Sequence, residues 1–209
     1  GSRRSNCRLT TANPASTMKI VLATRNPHKF REITAILGDL GVEWVPYSTL
    51  ADAPVLKEEG SSLRENAAAK AEGAVAFTGC VALAEDSALE VDALGGAPGV
   101  RSSRFLGEGA TDDDRIQEIL KQLRTYPWHG RTTRFRCVVA VAQPGGPREF
   151  AEGVCEGYIA WEPRGTAGFG YDPIFYVPEY RQTLAEIGPA LKNRISHRAK
   201  ALEACRGIL

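Results

Sequence analysis

The sequence predicts an α/β fold with a mixed central β-sheet flanked by helices. Three observations point to it. Short β-branched runs alternate with helical stretches through the first half of the chain, the pattern of strands joined by helical crossovers. Two long segments, 131–143 and 149–160, meet across Pro144-Gly145-Gly146-Pro147, which reads as an antiparallel hairpin. No linker, internal repeat or low-complexity tract interrupts residues 18–209, so they are expected to form a single domain.

Lys19-Ile20-Val21-Leu22-Ala23 predicts a short buried strand. Thr24-Arg25-Asn26-Pro27-His28-Lys29 follows it at once. Phe30, Ile33, Ile36, Leu37 and Leu40 then recur at helical spacing until Gly41. A strand, a polar turn and a helix start aim free backbone N–H groups and a helix dipole at an anion. Thr24, Asn26 and Lys29 add side-chain donors, although Asn26-Pro27 serves equally well as an ordinary helix cap. Residues 42–47 predict a second strand, and the polar stretch 51–60 carries Glu58 and Glu59. Ser62-Leu63-Arg64-Glu65 has the spacing of a capping box and opens an Ala-rich helix that Gly79 closes. Lys70 lies in that helix, where a lysine is more often a solvated charge than a ligand.

Residues 83–104 are the centre of the chain's organisation. Val81-Ala82-Leu83-Ala84 reads as a strand that stops at Glu85-Asp86-Ser87, before a second run from Leu89 to Leu94 and a turn at Gly95-Gly96-Ala97-Pro98-Gly99. Two acids at the end of a buried strand are costly unless a cation meets them. Mg²⁺ is the usual cation for adjacent hard carboxylates, since it binds through one or two of them plus a phosphate. A plain turn is the alternative, because Asp and Ser are common turn formers.

Thr111-Asp112-Asp113-Asp114 marks another helix start, whose acids suit the helix dipole and are read as structural. Ile116, Ile119, Leu120 and Leu123 give that helix its apolar face. In the hairpin, Phe135, Cys137, Val139 and Val141 share one parity. Gly165, Gly168 and Gly170 form a loop presenting Phe169 and Tyr171, either as a flat ligand face or as two residues tucked into the core. Residues 173–177 predict a short strand. Lys192, Arg194, His197 and Arg198 then cluster at the opening of a last helix with Ile195, Ala199 and Leu202 on one face, which on its own reads as a solvated helix start.

Composition narrows the function. A formal net charge of +1 leaves no global footprint for nucleic acid, and no apolar run approaches the ~20 residues of a membrane span. Residues 1–17 hold Arg3, Arg4 and Arg8 without an acid or an apolar core, so they read as an N-terminal extension, added or flexible, ahead of Met18. The five cysteines are scattered and include no C-x-x-C, which argues against a disulfide framework or a zinc site and favours the cytoplasm.

Taken in order, Thr24-x-Asn26-x-x-Lys29, Glu85-Asp86-Ser87, Leu94-Gly-Gly-Ala-Pro-Gly99, Phe169-Gly-Tyr-Asp-Pro173 and Ser196-His-Arg198 resemble the Ham1/RdgB family of inosine/xanthosine triphosphate pyrophosphatases. The resemblance runs from about Lys19 to the C-terminus. It implies two lobes with an active-site cleft between them and a Mg²⁺-dependent homodimer. The implied reaction cleaves noncanonical purine nucleoside triphosphates (ITP, dITP, XTP) to the monophosphate and pyrophosphate. By the same resemblance Asp86 is the catalytic, metal-associated carboxylate, with Glu58 or Glu85 as the second metal-associated acid and Glu59 as an alternative to its neighbour Glu58. Thr24, Arg25, Asn26, Pro27, His28, Lys29 and Lys70 fall to the phosphates. Ser87, Phe169, Gly170, Tyr171, Asp172, Lys192, His197 and Arg198 fall to the nucleoside. The partner is then a small nucleotide, with neither nucleic acid nor membrane. A pyrophosphatase for another modified nucleotide, or a non-catalytic nucleotide binder, are the alternatives. Three positions depart from the family's pattern. Arg25 and Ala88 replace common glycines and Glu85 a common Asp, so a positive φ at Arg25 would be strained.

Overall fold

A computed structural model of the chain describes residues 17–209, so the N-terminal extension lies, but for its last residue, outside the described residues. The expected α/β architecture is present. One eight-stranded sheet has the order β2-β1-β3-β5-β6-β7-β8, with β4 paired to β3 off that path. The strands are β1 (Lys19–Leu22), β2 (Glu43–Pro46), β3 (Val81–Val91), β4 (Pro98–Gly99), β5 (Thr132–Ala142), β6 (Arg148–Ile159), β7 (Phe175–Val177) and β8 (Gln182–Thr183). The helices are α1 (Pro27–Ile36), α2 (Leu63–Thr78), α3 (Asp112–Gln122), α4 (Leu184–Ile187), α5 (Pro189–Ile195) and α6 (His197–Cys205). The sheet is mixed: β1 runs parallel to β2 and to β3, whereas β3–β4, β6–β7 and β7–β8 are antiparallel. No helix among the described residues is long and apolar enough to cross a membrane.

The chain divides into two compact units. The first holds the residues up to Asp86, Val138–Glu152 and Ala201–Leu209; the second holds Ser87–Cys137 and Gly153–Lys200. In the first unit Ile20, Leu22, Ile33, Leu37 and Leu83 are buried with Ala67, Ala71 and Ala74 of α2. Alanine is the best helix former, so α2 forms readily while burying a face of small side chains. Ser62 caps α2 by accepting from the Glu65 N–H, but the expected box is only half made. The Glu65 carboxylate accepts from Ser61 N–H and Ser61 Oγ instead. Gly79 ends α2 at φ 70°, a left-handed conformation that suits glycine.

In the second unit Leu89, Val91, Ile116, Ile119, Leu123, Ile159, Ile174 and Leu184 form the core with Phe135 and Phe175, whose rings lie 4.6 Å apart. Tyr171 belongs to this core and donates its hydroxyl to the Ser102 carbonyl at 2.9 Å. Burial pushes its phenol well above the usual range. The buried Arg131 guanidinium donates to the carbonyls of Leu123, Ile159 and Ala160 at 2.7–2.8 Å. Thr111 and Asp114 make a complete capping box on α3, and the Thr111 hydrogen bonds hold the Asp114 carboxyl below its usual range.

Two expectations change. The runs on either side of Glu85-Asp86-Ser87 are one eleven-residue strand, β3, and the acids sit in its middle. Neither a strand end nor a turn is there, because lysines meet both acids inside the structure. The basic cluster at 192–198 is not a solvated helix start either. It is divided between α5 and α6 at Ser196, and Lys192, His197 and Arg198 are all buried.

Candidate active site

The first unit gathers charge around the middle of β3. Successive residues of a strand point to opposite faces, so Glu85 and Asp86 must find different partners. Glu85 meets Lys29 at 2.8 Å, with its own side chain fully enclosed. Asp86 meets Lys70 at 3.0 Å through Oδ1 and the Asn66 amide at 3.0 Å through Oδ2. Lys70 also donates to Glu58 Oε1 at 2.6 Å. Lys70 is therefore buried against two carboxylates, in contrast to the solvated charge its residue type predicts. Of the two adjacent glutamates, Glu58 joins this cluster, while the exposed Glu59 pairs with Lys57.

Electrostatics follows from this burial. Burial opposes the Lys70 charge, but Asp86, Glu58 and Glu85 outweigh it and hold the ammonium more firmly protonated than usual. For Asp86 the balance goes the other way. Burial, helped by the Glu58 charge, raises its pKa more than Lys70 and Lys29 lower it. Both partners of one ion pair thus shift upward, because desolvation weighs heavily on a carboxylate that must share its cation.

The turn after β1 is a well-made cap. Asn26 Oδ1 accepts from the N–H groups of His28 and Lys29, and Asn26 N–H donates to Thr24 Oγ1. Pro27 occupies the first helical position. Of the backbone donors expected to face an anion, the N–H groups of Asn26, His28 and Lys29 are thus used within the turn. Arg25 reaches across to the carbonyls of Ala53 and Pro54 at 2.8 and 3.4 Å. The non-glycine residues with positive φ among the described residues are Asp52, Leu106 and Arg181, so Arg25 fits in place of glycine without that strain.

The second unit gathers a different set. Arg198 lies 5.5 Å over the Phe169 ring and its Nη2 approaches Ser87 Oγ at 3.4 Å. Lys192 lies 4.8 Å over the same ring and ion-pairs with Asp172. Asp172 also accepts from the Phe169 N–H at 2.9 Å. A side chain at Gly168 would run into that carboxylate, and its φ of +79° excludes most residues as well. His197 stacks on Phe135 at 4.5 Å. Gly170 donates its N–H to Asp112 at 2.8 Å, so one of the helix-start acids of α3 anchors the glycine loop. Of the two loop aromatics only Phe169 stays with the cations; Tyr171 is core.

Most of the residues singled out from sequence fall into these two clusters. Asn66 does not announce itself in that way. Its signal is faint: a poor helix former in the middle of an Ala-rich helix, four residues before Lys70 and so on the same face.

Among the described residues no group of three or more His, Cys, Asp or Glu stands ready to hold a metal. The donor set still suits Mg²⁺. Glu58 and Asp86 are hard oxygen donors that converge on one ammonium, and Mg²⁺ commonly takes one or two carboxylates and leaves its other positions to phosphate and water.

Comparisons with known proteins agree with one another. The model of the Ham1 family matches residues 20–208. A protein of Desulforamulus reducens named dITP/XTP pyrophosphatase is 49% identical over 92% of this chain and 96% of its own. One of the same name from Geobacillus kaustophilus is 50% identical over 88% and 90%. The solved structure of a HAM1 protein from Coxiella burnetii superposes with a TM-score of 0.83 at 44% identity, covering 92% of this chain and 98% of that one.

Proposed function

This chain belongs to the Ham1 family, and from that premise we propose that it hydrolyses noncanonical purine nucleoside triphosphates (dITP, ITP and XTP) to the monophosphate and pyrophosphate. The observation that carries the proposal is the set Glu58–Lys70–Asp86, buried but for the partly exposed Glu58, with Lys29–Glu85 beside it. A protein fold gains little from burying that many charges for stability alone. A site that must manage a triphosphate needs them.

In this reading Lys29 and Lys70 act as point charges for phosphate oxygens, and Thr24 adds a hydroxyl donor. Glu58 and Asp86 would hold Mg²⁺, which when bound supplies neutralisation of phosphate charge. Glu85 holds Lys29 in place. Asp86 would orient the attacking water; a carboxylate that holds a metal is a weak base, so this role rests on its place beside Glu58 and Lys70.

Lys192 and Arg198 carry only donors. They satisfy the 6-oxo group of hypoxanthine or xanthine and would leave the 6-amino group of adenine unpaired, a mismatch that discriminates strongly in a buried site. Phe169 offers any purine a stacking face and so gives affinity without choice. The homodimer and the cytoplasmic location belong to the same proposal.

The test is a panel of dITP, ITP, XTP, GTP and ATP, assayed for pyrophosphate and for orthophosphate with and without Mg²⁺. Pyrophosphate from dITP and XTP, dependent on Mg²⁺ and far exceeding that from ATP, is the expected result. Orthophosphate as the product, or no turnover of any of the five, overturns the proposal.

A further inference from the structure

Asn66 is completely buried, and its amide is used at both ends. Nδ2 donates to Asp86 Oδ2 at 3.0 Å, and Oδ1 accepts from the Gly60 N–H at 2.8 Å. Only this orientation of the amide works, since the reverse would set N–H against N–H and oxygen against carboxylate. One helical turn on, Lys70 repeats the arrangement with charge: it donates to Asp86 Oδ1 and to Glu58. Two residues of α2 thus grip the same two things, the carboxylate in the middle of β3 and the segment Glu58-Glu59-Gly60. Gly60 is shaped for this contact. A Cβ there would lie 2.7 Å from Glu65 Cβ and 2.9 Å from Asn66 Oδ1.

We infer that Asn66 is a positioning residue for the metal-binding pair: it fixes the spacing of Glu58 and Asp86 by pinning Gly60 and Asp86 to the same side chain. The inference rests on the pyrophosphatase reading above. Asn66 touches no substrate. Lys70 alone cannot set the spacing, because one ammonium on a flexible stem tolerates many separations of two carboxylates. A planar amide with a donor and an acceptor in fixed directions tolerates few. Aspartate cannot substitute, since it would set carboxylate against carboxylate, and alanine offers neither contact.

The test compares wild type with Asn66→Ala, Asn66→Asp and Gly60→Ala. Mn²⁺ binding is read by electron paramagnetic resonance with a non-hydrolysable ITP analogue present, and kcat and KM for dITP are read across a Mg²⁺ titration. Loss of a partner to a metal-binding carboxylate costs about 10–100-fold in metal affinity or activity. Asn66→Ala should therefore bind Mn²⁺ about 10–100-fold more weakly and lose kcat at low Mg²⁺. It should recover much of that kcat at high Mg²⁺ and keep its KM for dITP. Gly60→Ala leaves the Asn66 side chain in place but sets a Cβ against Glu65 and Asn66, so it should move Mn²⁺ affinity in the same direction. It decides the matter if the Asn66 variants do not fold. Folded variants with Mn²⁺ affinity and kcat within twofold of wild type overturn the inference, as does a kcat loss that excess Mg²⁺ leaves untouched. If wild type itself releases no pyrophosphate from dITP, the functional reading fails separately, and the Mn²⁺ comparison still judges the role of Asn66.

Discussion

Asp86 shows what one side chain in the middle of a strand can be made to do. A carboxylate there would be excluded from most sheets, and it is kept by Lys70 and Asn66, one on each oxygen. Asp86→Asn preserves shape and most contacts but removes the negative charge. Turnover should fall by about 10²–10⁴-fold, the usual worth of a positioned acid or base, while the circular dichroism spectrum stays that of wild type. A variant that retains near-wild-type rate at saturating Mg²⁺ would remove Asp86 from the chemistry. In the proposed function Arg198 is the corresponding residue for base choice. Arg198→Ala should lower kcat/KM for ITP and XTP far more than for ATP, since ATP has no favourable contact there to lose. A hydrogen bond from a charged donor contributes about 1.5–3 kcal/mol, so the ITP/ATP ratio should fall by roughly 10–150-fold. The ratio is the quantity to measure, because a general loss of packing around this buried arginine lowers both rates together. An unchanged ratio would remove Arg198 from base readout.

At the scale of elements, local signals in the sequence fared best where local physics decides. Asn26-Pro27, Ser62 and Thr111 mark helix starts, and Gly79 a helix end, because capping involves neighbours in sequence. The Glu85-Asp86-Ser87 break in β3 misled for the opposite reason. Its polarity is neutralised by Lys29 and Lys70, at 56 and 16 residues' remove, which no local pattern reveals. The alternation in β5 likewise marks only its first half: from Cys137 onward both faces of the strand are buried. Arg131 is the largest such surprise among the elements. It closes the C-terminal end of α3 and the end of β6 onto the start of β5, with three carbonyls on one guanidinium and the Trp161 ring 4.4 Å away. Arg131→Ala strands those carbonyls in the interior. At about 1–3 kcal/mol for each buried group left unmade, Tm should drop by roughly 6 °C or more in a chain of this length. Differential scanning calorimetry reads this directly, and a change under about 2 °C would show that water replaces the guanidinium without loss.

For the whole molecule, the positions at which the chain passes between its two units were hidden for a structural reason. A domain boundary is legible as a linker, but here β3, β5 and β6 each change unit partway along, at Asp86–Ser87, Cys137–Val138 and Glu152–Gly153. A crossing inside a strand leaves no linker to read, and the polar break at Glu85-Asp86-Ser87 marks only the first of the three. The candidate site residues stand out in the sequence because, in the proposed function, phosphate and base handling need charged residues in recognisable short motifs. Those motifs name candidate residues without reporting what holds them, and Asn66 fell in that gap. The clearest global consequence of the proposed function is linkage. A ligand that binds only the folded chain stabilises it by RT ln(1 + [L]/Kd), about 2.7 kcal/mol at a hundredfold excess over Kd. A non-hydrolysable ITP analogue with Mg²⁺ at that excess should therefore raise Tm by roughly 5–10 °C. Chelation with EDTA should cancel most of the gain, since an unneutralised triphosphate faces Glu58, Glu85 and Asp86 as well as the lysines. The matching ATP analogue at the same concentration should give a visibly smaller shift, because on the proposed base readout its 6-amino group would leave the donors of Lys192 and Arg198 without a partner on the base. Equal shifts for the two analogues would mean that discrimination arises after binding, in the chemical step, and would move base readout out of the ground state.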